Sequence, residues 1–277
     1  MVDTRGKIVL AVVIVIFVIG LFGSLLVAFS GVSSEGSNFF SLFGRGKVAV
    51  IDVKGEIVPS TGFLTGGVSP DSILPLLDEV ESGNYVGALI KIDSPGGTVV
   101  TSKSIAQAVK DMNKPTVCLL GDIAASGAYW IASSCDYIVS DSLSLTGSIG
   151  VTASYLEYTG FMEKYGIKYE QFTSGENKEV GSPFSNLSEE NRDKMQKLVD
   201  DTFKYFLDDV VASRGLTEEQ IEAVKQADIF IGRDALELNL VDELGGIKEA
   251  KIALERLTGL KNLEYVELGS SGGLGFF

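Results

Sequence analysis

Three short stretches of this chain carry groups that could do covalent chemistry. The first is Asp93-Ser94-Pro95-Gly96-Gly97-Thr98-Val99, directly after an apolar run. A proline followed by two glycines cannot continue a strand, and paired glycines let backbone N–H groups point into a cleft. A helix starting near Val99 would add its positive end to the same place. The second is Asp122-Ile123-Ala124-Ala125-Ser126-Gly127-Ala128-Tyr129-Trp130. Here small residues crowd a turn between a strand and a helix, a setting that suits an exposed Ser126 nucleophile whose oxyanion is met by the Gly127 amide. It is not a Gly-x-Ser-x-Gly elbow, and taken alone Ser126 reads more readily as a helix N-cap than as a nucleophile. The third is the turn-rich stretch 173–184, which holds one lysine, Lys178. Taken alone, Lys178 is a solvated surface charge and the double glycine an ordinary strand-to-helix turn.

The absence of histidine from all 277 residues joins these fragments. It excludes a Ser-His-Asp triad, a Cys-His dyad and any His-ligated metal centre. A proton carrier working at neutral pH must then be a tuned Lys, Asp, Glu, Tyr or Cys. Serine paired with lysine is an established alternative to serine with histidine. A free lysine titrates near ~10.4, and lowering it by ~3 units disfavours the ammonium by about 4 kcal/mol, which desolvation can supply. Lysine's compact charge permits such a shift, whereas arginine's does not. The two cysteines, Cys118 and Cys135, lie in apolar stretches and are expected as buried, reduced thiols.

The elements that must position these groups can be read from the pattern. Residues 8–29 contain neither charge nor proline. At ~1.5 Å per residue they reach about 33 Å, enough for one transmembrane helix. Arg5 and Lys7 precede this segment and Glu35 follows it. That bias gives a cytoplasmic tail over 1–7 and a cell-membrane protein of single-pass topology with its body outside the cytoplasm. Residues 30–46 read as a linker, 47–268 as one globular domain and 269–277 as a flexible Gly/Ser tail. Within the body, apolar runs at 47–53, 86–93, 115–122, 136–140, 148–155 and 167–174 read as strands. They alternate with helical segments at 69–82, 99–112, 126–134 and 157–165, followed by a long helix over 188–213, a capping box at Thr217-Glu218-Glu219-Gln220, a helix over 247–258 and a last strand over 263–268. This is an α/β chain with mainly parallel pairing. With 23 Lys+Arg against 37 Asp+Glu the net charge is −14, which argues against a nucleic-acid partner.

Taken together, Asp93-Ser94-Pro95-Gly96-Gly97, Ser126-Gly127-Ala128-Tyr129-Trp130-Ile131-Ala132-Ser133, Thr146-Gly147-Ser148-Ile149-Gly150-Val151 and the Gly175/Lys178/Gly181-Ser182-Pro183 pattern resemble the signal peptide peptidase A family. These are membrane-anchored serine proteases related to the Clp and crotonase folds. The resemblance implies a layered α/β sheet with flanking helices behind one N-terminal transmembrane helix. It implies Ser126 as nucleophile, Lys178 as general base and Ser148 as the residue orienting the lysine, with Gly97 and Gly127 as oxyanion donors. It further implies the single-domain short form, a homo-oligomeric ring, apolar peptide substrates such as remnant signal peptides, and no metal or organic cofactor. Two other readings stay open at this point. One is a related Clp-class protease acting on an integral membrane partner. The other is a catalytically silent scaffold that binds peptides.

Overall fold

The computed structural model describes residues 46–61, 67–175 and 177–269. The expected membrane segment at 8–29, nearly all of the linker at 30–46 and the tail beyond Gly269 lie outside these. Among the described residues no helix is long and apolar enough to cross a membrane.

The chain runs β1 (Lys47–Lys54), α1 (Pro70–Ser82), β2 (Gly87–Ser94), α2 (Val99–Lys110), β3 (Thr116–Ala125), α3 (Gly127–Ala132), β4 (Tyr137–Ser140), β5 (Leu145–Gly147), α4 (Thr159–Lys164), α5 (Glu189–Arg214), α6 (Glu218–Val224), β6 (Ile229–Ile231), α7 (Gly232–Glu237), β7 (Glu243–Leu244), α8 (Ile247–Thr258) and β8 (Glu264–Leu268). The sheet order is β6-β5-β3-β2-β1-β8, with β4 also on β3 and β7 on β4. Every pairing is parallel except β5 with β6. The α/β architecture with parallel pairing is therefore as expected.

Alternation along the central strands sorts their side chains onto two faces. Ala49, Ile51 and Val53 of β1 join Ile90, Ile92, Cys118 and Leu120 under α1, α2 and α3. Val48 and Val50 join Leu89, Val117 and Val139 under Ala250, Ala253 and Leu254 of α8. Burial on both faces explains why these strands read as continuous apolar runs.

β3 does the positioning. Its first half pairs with β4 through Val117–Leu120 and its second half with β5 through Ile123–Ala125. The strand thereby delivers its last residue to a point where the sheet divides. α3 then packs back along β3, which brings Cys135, just past the helix, beside Cys118. Their Cα atoms are 5.9 Å apart and the sulfurs are joined in a disulfide. The expectation of two reduced thiols is thus corrected: hydrophobic neighbours along the sequence did not reveal that the helix returns one cysteine to the other. A cross-link closing a segment of this length contributes about 3 kcal/mol. The Cys118→Ala/Cys135→Ala variant should lose that much in equilibrium denaturation, and reductant should destabilise the unmodified protein but not the variant. An unchanged midpoint in both would refute it.

Two expected strands are not formed. β5 ends at Gly147 because Gly147 (φ 82°) and Ser148 (φ 50°) both adopt left-handed backbone and turn the chain out of the sheet, so 148–155 does not continue it. Residues 167–174 have an extended-looking pattern but no sheet neighbour and no buried side chain. From Gly150 through Tyr205 no described residue is buried. This arm is stitched to itself: Tyr158 N donates to Pro183 O (2.7 Å), Ile167 N to Met162 O (2.9 Å), and the tilted rings of Tyr169 and Phe184 pack with centroids 5.2 Å apart. Beyond it, α5 rejoins the body. Its N-cap is Ser188, whose side chain accepts from Asn191 N, and it ends at left-handed Gly215. Near that end Arg214 makes a two-pronged bond to Asp242 (3.0 and 2.8 Å) and donates to Asn239 O (2.9 Å). Asp242 also accepts from Ile138 N (2.7 Å). The neighbouring Tyr129 hydroxyl, pushed well up from its ordinary pKa by burial, donates to Leu240 O (2.8 Å).

Candidate active site

Two strand-to-helix turns meet here, β2 into α2 and β3 into α3. In the first, Ile57 brackets the glycines from outside: its N–H donates to Gly96 O (2.8 Å) and its carbonyl accepts from Thr98 N (2.9 Å). In a trans peptide the N–H points opposite to the C=O. With the Gly96 carbonyl held by Ile57, the Gly97 N–H must face the other way, toward Ser126. Among the described residues this amide has no hydrogen-bond acceptor. Gly96 is required for a separate reason. Its φ is 100°, and a Cβ there would stand 2.8 Å from Gly127 N and 2.9 Å from Ser126 Cβ, inside the space a reacting carbonyl must enter.

In the second turn, Ser126 has φ 55° and ψ −127°, a conformation worth about 1–3 kcal/mol of strain for a residue with a Cβ. It is held from both sides, its N–H donating to Gly147 O (2.9 Å) and its carbonyl accepting from Trp130 N (3.0 Å). The Ser126 side chain makes no capping bond to α3. Ser126 thus holds the N-cap position of α3 with its carbonyl alone, and its hydroxyl is left for other use. Gly127 opens α3, so its N–H points out of the helix start, and among the described residues it too lacks an acceptor. A strained, half-buried hydroxyl beside two free amides is the arrangement that acyl transfer needs.

Beside Ser126 lies a cavity of about 100 Å³ walled by Val99, Trp130, Val151 and Phe206, with Gly97, Gly127 and Ser102 on its polar side. That is room for one small apolar side chain, the volume being below the ~150 Å³ of a cavity that admits benzene. α5 supplies its floor: Phe206 stacks on Trp130 (4.4 Å, 15°), and Trp130 Nε1 donates to Asp209 Oδ2 (3.1 Å).

Of the residues singled out from the sequence, Ser126, Gly97 and Gly127 share this cavity. Ser148 does not line it but adjoins it, following the Gly147 that holds Ser126 N and donating its own N–H to Asp228 O (2.8 Å). Lys178 is not brought there by its own chain. It sits in the turn after 175, with its N–H on Gly175 O (3.1 Å) and its side chain exposed, and it lines no part of the Ser126 cavity. Sequence reading missed Ile57, Ser102 and Phe206. Nothing in local sequence signals Ile57 or Phe206, which reach the site through tertiary contacts. Ser102 could have been noticed as a hydroxyl on the apolar stripe of α2.

Comparison with known proteins shows the family. The family model Peptidase family S49 matches residues 108–261, which include Ser126, Gly127, Ser148 and Lys178. A chain of Methanocaldococcus jannaschii that carries a protease name is 32% identical over 97% of this chain and 88% of its own length. The chain belongs to peptidase family S49. Protease 4 of Haemophilus influenzae is 33% identical over 76% of this S49 chain, which spans 35% of that longer relative. Among solved structures, a membrane-bound stomatin-specific protease superposes with a TM-score of 0.53 over 82% of this chain and 99% of its own, at 15% identity, a likeness of fold. This S49 peptidase therefore has the α/β scaffold of a protease, with Ser126 at the meeting point of its two glycine turns.

Proposed function

We propose that this chain is a membrane-anchored serine endopeptidase in which Ser126 is the nucleophile, Lys178 the general base and Ser148 the residue that orients it. The single observation that carries the reading is the strained Ser126, its hydroxyl uncommitted, facing the two free amides of Gly97 and Gly127. A neutral Lys178 amine takes the Ser126 proton as the oxygen adds to a peptide carbonyl. The oxyanion settles against Gly97 N and Gly127 N, each worth about 3 kcal/mol in comparable sites. The lysine then passes its proton to the leaving amine, and a water activated by the same amine releases the acyl group.

Lys178 lies exposed on an arm with no buried residue, and Leu156, Phe161, Tyr165 and Phe172 on that arm are 70%, 58%, 61% and 94% exposed. Apolar surface of this extent asks for a cover. A homo-oligomeric ring supplies one, and it supplies the desolvation a basic lysine needs: the arm of one protomer lies over the Ser126 cleft of the next. Lys178 then acts across the interface. The substrate is an extended apolar peptide close to the bilayer, such as a remnant signal peptide. The cell-membrane location with the catalytic body outside the cytoplasm follows from the charge bias around 8–29.

A fluorophosphonate probe should label the full-length protein in detergent once per chain, at Ser126, as mapped by peptide mass spectrometry. No labelling, or labelling at another serine, would overturn the nucleophile assignment and favour a silent peptide-binding scaffold.

A further inference from the structure

Ser102 is a buried hydroxyl in the cavity that the reaction as written does not use. It lies one turn into α2, is 0% exposed, and its hydroxyl donates to Thr98 O (2.9 Å). Serine on a buried helical face gives up packing that alanine or a larger apolar residue would provide, and a bond back to the carbonyl four residues earlier slightly weakens the helix. Its surroundings show what the hydroxyl does there. A Cβ built on Gly127 would fall on Ser102 Oγ, would approach Ser102 Cβ to 2.8 Å, and would stand 3.5 Å from Gly97 N. The Ser102 hydroxyl thus occupies the place that a side chain at 127 would take, on the side of Gly127 that also faces Gly97 N.

We propose that Ser102 is a positioning residue that sets the separation of the two oxyanion donors. Gly97 belongs to the β2–α2 turn and Gly127 to the β3–α3 turn, so no covalent geometry fixes their distance. For both to serve one oxygen, each must come within about 2.7–3.1 Å of it. Ser102 is a side-chain contact between the two turns at that point, beside the direct approach of Gly96 to Gly127 N. Its Oγ meets the Gly127 backbone, and its hydrogen bond to Thr98 O anchors the Thr98–Val99 peptide group, one residue beyond Gly97. The inference rests on the reading of Ser126 as nucleophile and of these amides as its oxyanion site.

Ser102→Ala should fold, since one buried oxygen is lost without added volume. Its kcat on an apolar fluorogenic peptide should fall about 10-fold with KM within about twofold, as expected when donor placement loosens by a fraction of an ångström. A peptide aldehyde, whose adduct with Ser126 places an oxygen on the two amides, should lose affinity by the same factor, while a product peptide should bind unchanged. Unchanged kcat and aldehyde affinity would overturn the proposal, as would equal weakening of aldehyde and product peptide. A reciprocal pair tests the contact itself. Gly127→Ala should lose more than about 100-fold, and Gly127→Ala with Ser102→Gly should recover at least about 10-fold of it. No recovery overturns the proposal, and if Gly127→Ala alone fails to fold, restored folding and activity in the pair support it. Failure of the probe to label Ser126 in the unmodified protein sinks the parent reading instead, whereas normal labelling with an unaffected Ser102→Ala sinks only this one.

Discussion

Ser126→Ala should leave a folded protein that cleaves peptide at least about 10⁴-fold more slowly than the unmodified chain. The size follows because neither of the other described hydroxyls that line the cavity, Ser102 and Thr152, sits in the strained turn that carries the Gly127 amide. Ser102 and Ser148 flank the region, but Ser102 is fully buried and bonded to Thr98 O, and Ser148 does not line the cavity. Removing the hydroxyl leaves the backbone bonds from Ser126 N to Gly147 O and from Trp130 N to Ser126 O intact. Circular dichroism and the thermal midpoint should therefore match the unmodified protein while turnover of an apolar fluorogenic peptide disappears. Retention of more than a few per cent of activity would remove Ser126 from the mechanism.

Lys178→Ala should be nearly as damaging, by about 10³–10⁴-fold, because the chain has no histidine to substitute as base. The more telling result concerns the two inactive proteins together. Lys178 lies on the exposed arm and away from its own Ser126 cavity. Co-assembled Ser126→Ala and Lys178→Ala chains should therefore recover activity, because some clefts then combine an intact serine with a neighbour's intact lysine. Random mixing in equal amounts gives about one quarter of such clefts. Recovery near that fraction supports delivery across the interface. None at all, with assembly confirmed by light scattering, would place the base within its own chain or on another residue.

How much of this was visible beforehand differs by element. The central strands announced themselves because two-sided burial makes them continuously apolar, and α5 because Ser188, Glu189 and Glu190 open it and Gly215 closes it. The turns at Gly96–Gly97 and Ser126–Gly127 were legible as turns because proline and paired glycines cannot continue a strand, whereas their chemistry emerged only from the motifs taken together. What was hidden depended on chain return. Cys118 and Cys135 meet only because α3 doubles back on β3. Residues 167–174 carry a strand's alternation without a strand's neighbour, so their pattern misled. β6, α7 and β7 are too short to give a periodicity of their own. Lys178 was picked out by the lack of histidine and by its motif, yet its own chain leaves it exposed in the turn after 175 and off the Ser126 cavity, which its motif alone does not reveal.

The arm from Gly150 to Tyr205 also bears on how substitutions should be judged. On one copy, Phe172 at 94% exposure looks like a candidate for replacement by a charged residue to improve solubility. In the ring proposed above that same patch of carbon would become interior, so engineering guided by the isolated chain would remove the adhesive that brings chemistry together. On that proposal, tolerance to mutation along this stretch would belong to the particle and not to the polypeptide.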